Sequence, residues 1–296
     1  MIELDIGGAF EALVNWLQIH FSPFFDALRA VIGGVISGLE TALLFFPSYV
    51  VLGGFVLLAG WFVSRRTALF ALVGLALLEE IRVTLFGTTV VVGMDLWTAT
   101  MQTLALVLTA TLLALLVGIP VGIAAAKRDM VERAVRPILD FMQTMPAFVY
   151  LIPAVLLFGL GEVPGVIATF IFATPPAVRL TNLGIRQVAD DVVEAARAFG
   201  STPRQVLLKV ELPLALPTIL AGVNQTIMLA LSMVVIAALI GAGGLGDPVV
   251  IGITQLQTDV GFEGGLAIVI LAIVLDRLTQ GIGAEAGSGE VTAPTA

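Results

Sequence analysis

Few groups in this sequence could do covalent chemistry. The chain has no cysteine and one histidine, His20, which excludes thiol nucleophiles, disulfides and Cys/His metal clusters. No G-x-x-x-x-G-K-[ST] loop is present to cradle nucleotide phosphates, and the Gly-rich stretch 241–246 lacks the lysine. The informative polar groups instead interrupt apolar runs. Gln143 and Thr144 open one run; Asn224, Gln225, Thr226 and Ser232 lie in the longest. A polar side chain inside a span either bonds a neighbouring helix or lines a pathway, and both readings stand here. Asn224 and Gln225 are adjacent, so at least one points away from any single groove. Met142, Met145, Met228 and Met233 form either a flexible gate or ordinary packing. Glu79 and Arg82, three apart, are placed to pair if their segment is a helix.

One polar stretch, 184–213, carries helix punctuation. Asp191 and Glu194 have the spacing of a helix cap with a carboxylate reaching back. Gly200 is suited to a left-handed stop. Thr202-Pro203-Arg204-Gln205 then reads as a second start: Thr202 caps, Pro203 sits in the first turn and Gln205 completes the box. Pro213 is expected to break that second helix. The result is a helix–turn–helix elbow whose apolar residues, among them Val193, Phe199 and Val206, need cover. Double capping points to a rigid part rather than a loose surface loop.

The elements that must hold these groups are set by composition. Of 296 residues, 58% are apolar and 12% are charged, against about 25% charged in soluble domains. An ordinary soluble enzyme is therefore excluded. The net charge of −8 argues against nucleic acid as a partner. Crossing a hydrocarbon core of about 30 Å takes about 20 apolar residues. Runs at 41–64, 104–126, 141–161, 163–178, 212–246 and 264–281 qualify, with 67–86 weaker because Glu79, Glu80 and Arg82 interrupt it. Basic residues concentrate at 65–66, 127–136 and 184–213, whereas 88–98, 161–165 and 242–263 hold none. All three basic sections fall on the cytoplasmic side only if 67–86 also crosses. The reading is an all-α integral membrane protein of about seven spans, N-terminus outside and C-terminus inside. Residues 1–40 form an external amphipathic segment, lying on the membrane or packed as an eighth span. Residues 41–96 supply two peripheral spans, 97–283 the core and 284–296 a disordered tail.

Glu194-Ala195-Ala196, three residues, Gly200, nine residues, Val210, one residue, Leu212-Pro213 resembles the EAA loop of ATP-binding-cassette importer permeases. The stretches 143–150 (QTMPAFVY), 199–205 (FGSTPRQ), 221–226 (AGVNQT) and 275–280 (LDRLTQ) are similar to permeases of glycine betaine/proline betaine importers. The likeness covers about residues 97–281 and is weak before them.

That resemblance implies a type I importer permease core of five helices. It implies that Glu194, Ala195, Ala196, Arg197, Phe199, Gly200, Ser201, Thr202, Pro203, Arg204, Gln205, Leu212 and Pro213 couple the spans to a separate ATPase. Gln143, Thr144, Asn224, Gln225, Ser232 and Met233 are the candidate pathway residues. The implied partners are a second copy of the chain, two cytoplasmic ATPase subunits, an external binding protein and the bilayer. The chain itself is expected to bind no cofactor and to be no enzyme; ATP and Mg²⁺ belong to the ATPase. Trp16, Trp61, Trp97, Tyr49 and Tyr150 form no dense cluster, so an aromatic cage for a quaternary ammonium is expected on the binding protein. The alternatives are the same architecture importing choline, carnitine or an amino acid, and a stand-alone ion-coupled transporter or osmotic channel.

Overall fold

The computed structural model describes residues 5–85 and 88–288. Helix α1, Ile6–Phe45, starts where the Asp5 carboxylate accepts the Gly8 N–H at 2.8 Å. It bends at Phe21, just ahead of Pro23, and stops at Phe46-Pro47. Helices α2, Ser48–Phe62, and α3, Arg65–Leu78, form a hairpin; Ser64 Oγ accepts the Thr67 N–H at 3.2 Å to cap α3. Strands β1, Ile81–Leu85, and β2, Thr88–Val92, pair antiparallel with Ile81 opposite Val92. Next come α4, Trp97–Lys127; α5, Asp129–Thr144; α6, Ala147–Phe158; and α7, Glu162–Arg186. Helices α8, Asp190–Ala198, and α9, Pro203–Val206, lead through a π turn, Leu207–Glu211, into α10, Leu212–Ala238. The chain ends in α11, Gly246–Thr254, and α12, Thr258–Ser288.

Four of the expected spans lie within α4, α7, α12 and α10 with its adjoining loop. Three are revised. The run 141–161 is bent by 100° at Met145-Pro146, between α5 and α6. The run 41–64 is divided at Phe46-Pro47, where proline lacks the N–H to continue a helix; its first part belongs to α1, which therefore crosses the expected boundary at residue 40. In 67–86 the helix stops at Leu78, and Glu79 and Arg82 are not on one helix, because β-branched residues take the chain into a strand. This hairpin is a departure from an all-α chain. Helices α2 and α3 have 15 and 14 residues, about 22 Å at 1.5 Å per residue, short of a full crossing. Five helices among the described residues are long and apolar enough to cross, or six if the bent pair is one span. Helix α12 runs to Ser288, into the segment expected to be disordered, and 289–296 lie outside the described residues.

Glycines decide how the spans meet. Helix α7 is the most buried of them and lies between α4 and α10. On α4, a Cβ at Gly118 would stand 2.7 Å from Ala177 Cβ, and one at Gly122 would stand 2.6 Å from Thr181 Cβ. On the other side, Gly184 faces Ala215 and Thr218, and Gly222 faces Leu180 and the Pro176 carbonyl. Small residues let backbones approach where lipid supplies no hydrophobic drive between helices. Pro175 and Pro176 sit inside an unbroken α7. Helix α12 packs on α10 and on the α2–α3 hairpin, and Leu231, Leu271 and Val274 share a buried cluster with Met101 and Leu104 of α4.

The basic segments gather at one end. The α2–α3 turn, with Arg65 and Arg66, packs beside Gly281 of α12. Lys127, Arg186 and Lys209 lie where α4, α7 and the elbow adjoin. The chain returns from the strand pair through Met94 and Leu96, whose N–H groups donate to the Leu77 and Leu78 carbonyls. Helix α3 and the strand pair thus carry the chain to the acidic end, the task expected of 67–86. Helix α1 has the length to cross, yet its contacts fall toward that acidic end. Glu40 accepts from Gln102 at 3.1 Å, Ile32 and Ile36 pack with Leu106 and Val166, and Phe25 meets Phe158 edge-on at 5.5 Å. Replacing Gly122 by Leu is expected to force α4 off α7 and destabilise the protein by about 1–3 kcal/mol or more. Thermal unfolding in detergent should show a clear loss of Tm; an unchanged Tm would refute this packing account.

Candidate coupling elbow and pathway residues

The elbow is built from backbone outward. Helix α8 begins at Asp190 after Ala189, two residues earlier than a cap at Asp191 would place it, and Glu194 makes no capping bond. Asp191 Oδ1 accepts the N–H of its neighbour Val192 at 2.9 Å, so the expected 191–194 cap does not form. The end of the helix is as expected. Gly200 has φ +82°, the Ser201 N–H donates to Ala196 O, and the Gly200 N–H donates to Arg197 O. These two bonds satisfy carbonyls that a helix end leaves free. Thr202 then caps α9: its Oγ1 accepts the Gln205 N–H at 3.4 Å, and Gln205 Oε1 accepts the Thr202 N–H at 2.8 Å. Pro203 occupies the first turn.

Pro213 does not break the helix. The π turn Leu207–Glu211 absorbs the change of register, and the chain runs helically from Pro203 to Ala238. Leu212 packs beside Ile185, Ala215 and Ile219, while Pro213 is exposed. The elbow's second helix is therefore continuous with a membrane span. No residue of α8 is buried. Glu194, Ala195, Arg197, Thr202, Pro203, Arg204 and Gln205 are exposed, Ala196 and Ser201 are half-buried, and Phe199 presents 90% of its surface. Large apolar exposure on a rigid corner, closed by the Gly200 stop and the Thr202–Gln205 box, is the signature of a surface meant to be covered.

The expected pathway residues divide. Asn224 joins helices: its Nδ2 donates to Asp276 Oδ1 at 2.8 Å, and Thr279 Oγ1 donates to Asn224 Oδ1 at 2.5 Å. Gln280 Nε2 adds a 2.6 Å bond to the same carboxylate. Met233 is fully buried against Tyr150, Leu151 and Ala168, so it packs; Met145 borders the same cluster and Met228 another. Thr226 is buried and bonds the Gly222 carbonyl within its own helix. Gln225 and Ser232 are exposed on one stripe of α10, in register with Ala221 and with Leu239 just past the helix end. Gln143 and Thr144 are exposed at the bend before α6. Among the described residues no Trp or Tyr ring stacks on another; Trp16 lies on His20 and Tyr150 meets Phe172.

Sequence reasoning overlooked two charged groupings. Lys127 and Glu211 form an ion pair between the end of α4 and the π turn, with Glu211 only 5% exposed. Arg186 binds Asp129 at 2.7 Å and Glu132 at 2.9 Å, and Arg179 binds Asp140 at 2.6 Å, fastening α5 to α7 around a cavity of about 350 Å³. In the sequence, the basic residues of 127–136 carry only a signal of orientation. The lone acid before Leu212-Pro213 was the available signal for Glu211.

Comparison with known proteins agrees with this architecture. Residues 118–283 match the family model of the binding-protein-dependent transport system inner membrane component. The chain is 49% identical over 279 residues to the glycine betaine transport system permease protein OpuAB of Bacillus subtilis (strain 168), covering 94% of each. It is 48% identical over 275 residues to the glycine betaine/proline betaine transport system permease protein ProW of Escherichia coli (strain K12), covering 93% of this chain and 74% of that one. An inward-facing structure of the MetNI methionine ABC transporter superposes with TM-score 0.58 over 62% of this chain and 92% of that chain; at 24% identity the likeness is one of fold. The family model spans more than half of the chain and the relatives nearly all of it, so the chain belongs to the binding-protein-dependent transport system inner membrane component family.

Proposed function

We propose that this chain is the permease subunit of an ATP-driven importer of glycine betaine/proline betaine-type quaternary ammonium osmoprotectants. The observation that carries the substrate class is the 49% identity to a glycine betaine permease across 94% of both chains. Two copies pair around a shared pathway. The basic end faces the cytoplasm by the positive-inside rule, and the acidic end faces a binding protein that presents the solute. Each elbow seats Phe199 and its neighbours in a cleft of an ATPase subunit, which holds the ATP and Mg²⁺. The N-terminus is external and the C-terminus internal.

The physics of this arrangement rests on stiffness. Closure of the ATPases moves the elbows, and the helical run from Pro203 to Ala238 conveys that movement into the membrane. Exposed Gln225 and Ser232 would be costly against lipid, which supports placing their stripe against the second copy or the aqueous pathway. A zwitterion with a cationic head needs a passage that tolerates it without holding it tightly.

Glycine betaine uptake into proteoliposomes, with the ATPase and the binding protein omitted in turn, tests the function directly. Uptake is expected only with all components and ATP. Gradient-driven uptake by this chain alone would defeat the importer reading. Stimulation of the ATPase by a binding protein loaded with another solute would replace the substrate. Gly200→Pro fixes φ near −65° and removes an N–H from the helix stop, so transport should be abolished while membrane insertion persists; normal uptake would reject the elbow. Because the chain has no cysteine, single-Cys variants report cleanly. Gln225→Cys and Ser232→Cys should react with a water-soluble thiol reagent in the assembled transporter, and Thr226→Cys should not. Equal labelling of all three would remove the pathway stripe.

A further inference from the structure

Between the elbow and the membrane lies a joint that neither the elbow motif nor the pathway residues account for. The π turn Leu207–Glu211 interrupts an otherwise continuous helical run and holds Glu211, a carboxylate only 5% exposed. Its partner is Lys127, the last residue of α4, whose ammonium donates to Glu211 Oε2. A π turn adds a residue to a helical turn and is frequent at functional sites; here it coincides with Glu211 facing the end of α4. An ordinary helix surface has no need of a buried acid, and a buried charge is retained only with a well-placed partner.

The surroundings separate this pair from ordinary packing. On one side is the apolar knot of Ile185, Ala215 and Ile219 that ties α7 to α10, with Ile123 of α4 against it. On the other is a polar cavity of about 260 Å³ in the crook of the elbow, lined by Lys127, Arg186, Glu194, Arg197 and Glu211 among others. The pair therefore stands between a fixed apolar knot and an open polar space beside α8. Without it the elbow would reach the spans only through the backbones of α7 and α10 and through the knot, with no tie to α4 but its residues against that knot, Ile123 among them.

We propose that Lys127 and Glu211 are positioning residues that gear the elbow to α4, so that movement of the elbow displaces α4 and α10 together. This rests on the elbow being the ATPase contact. The joint acts on transmission: it sets how much of each ATPase stroke reaches the spans. Glu194 and Arg197, facing the same cavity, have polar surroundings in which to shift as α8 is moved.

The test uses the complete transporter in proteoliposomes, with ATP hydrolysis and glycine betaine uptake measured together. Lys127→Met combined with Glu211→Met removes both charges and leaves neither orphaned. That variant should still co-purify with the ATPase and hydrolyse ATP, while uptake per ATP falls about tenfold, within the usual range of coupling between sites. The exchange Lys127→Glu with Glu211→Lys should restore uptake per ATP to within about threefold, whereas Lys127→Glu alone should not. Unchanged uptake per ATP in the methionine pair overturns the proposal. So does loss of ATPase binding in that pair, which would make the residues part of the docking surface. If the methionine pair fails to insert, the exchange decides: no recovery over Lys127→Glu alone overturns the joint. Phe199→Asp reports on the elbow itself: ATPase binding retained in that variant means the elbow reading has failed, independently of the joint.

Discussion

Close approach of helix backbones at glycine is the constraint on which the rest of this structure depends. A bilayer gives no hydrophobic reward for pressing one apolar helix on another, so contact must come from fit. Helix α7 obtains that fit on both flanks, against Gly118 and Gly122 of α4, and against α10 through its own Gly184 and through Gly222. Because α7 is held on two sides, it sets the spacing of α4 and α10 within the spans. The buried cluster shared with α12 and the α2–α3 hairpin extends that relation outward.

Rigidity continues below the spans. The elbow has three successive devices: a left-handed stop at Gly200, a reciprocal box at Thr202 and Gln205, and a π turn leading into α10. Each satisfies or re-routes backbone groups that a loose loop would leave to water. The elbow therefore behaves as the foot of α10. Its tip leaves Phe199 exposed at 90%, and this combination of stiff backbone and uncovered ring is what a force-bearing contact requires. At the opposite end, α1 clasps parts of α4, α6 and α7 through Gln102, Phe158 and Val166.

Polar groups within the apolar helices serve two ends. Asn224 is consumed by Asp276 and Thr279 in holding α10 to α12. Its neighbour Gln225, one residue or about 100° further round the helix, is left on the exposed stripe with Ser232. Adjacent residues of similar chemistry thus have different fates. The difference lies in which face α12 covers.

Several features were determined by sequence alone because their causes are local. Apolar runs fixed α4, α7, α10 and α12, since an isolated helix is the means by which a chain satisfies its own backbone in lipid. Gly200 and the Thr202–Gln205 box needed only short-range chemistry. Charge asymmetry ordered the two ends. Tertiary structure alone decided the others. Pro146 bends the chain by 100° whereas Pro175, Pro176 and Pro213 leave helices unbroken, because a proline's effect depends on what surrounds the carbonyls it frees. The Asp191–Glu194 pattern formed no cap, since α8 starts two residues earlier. Met233 is core, and Asn224 a bolt, only because α6, α7 and α12 stand where they do. Lys127 and Glu211, 84 residues apart, meet only when α4, α7 and α10 have packed, and no local pattern in the sequence encodes that meeting.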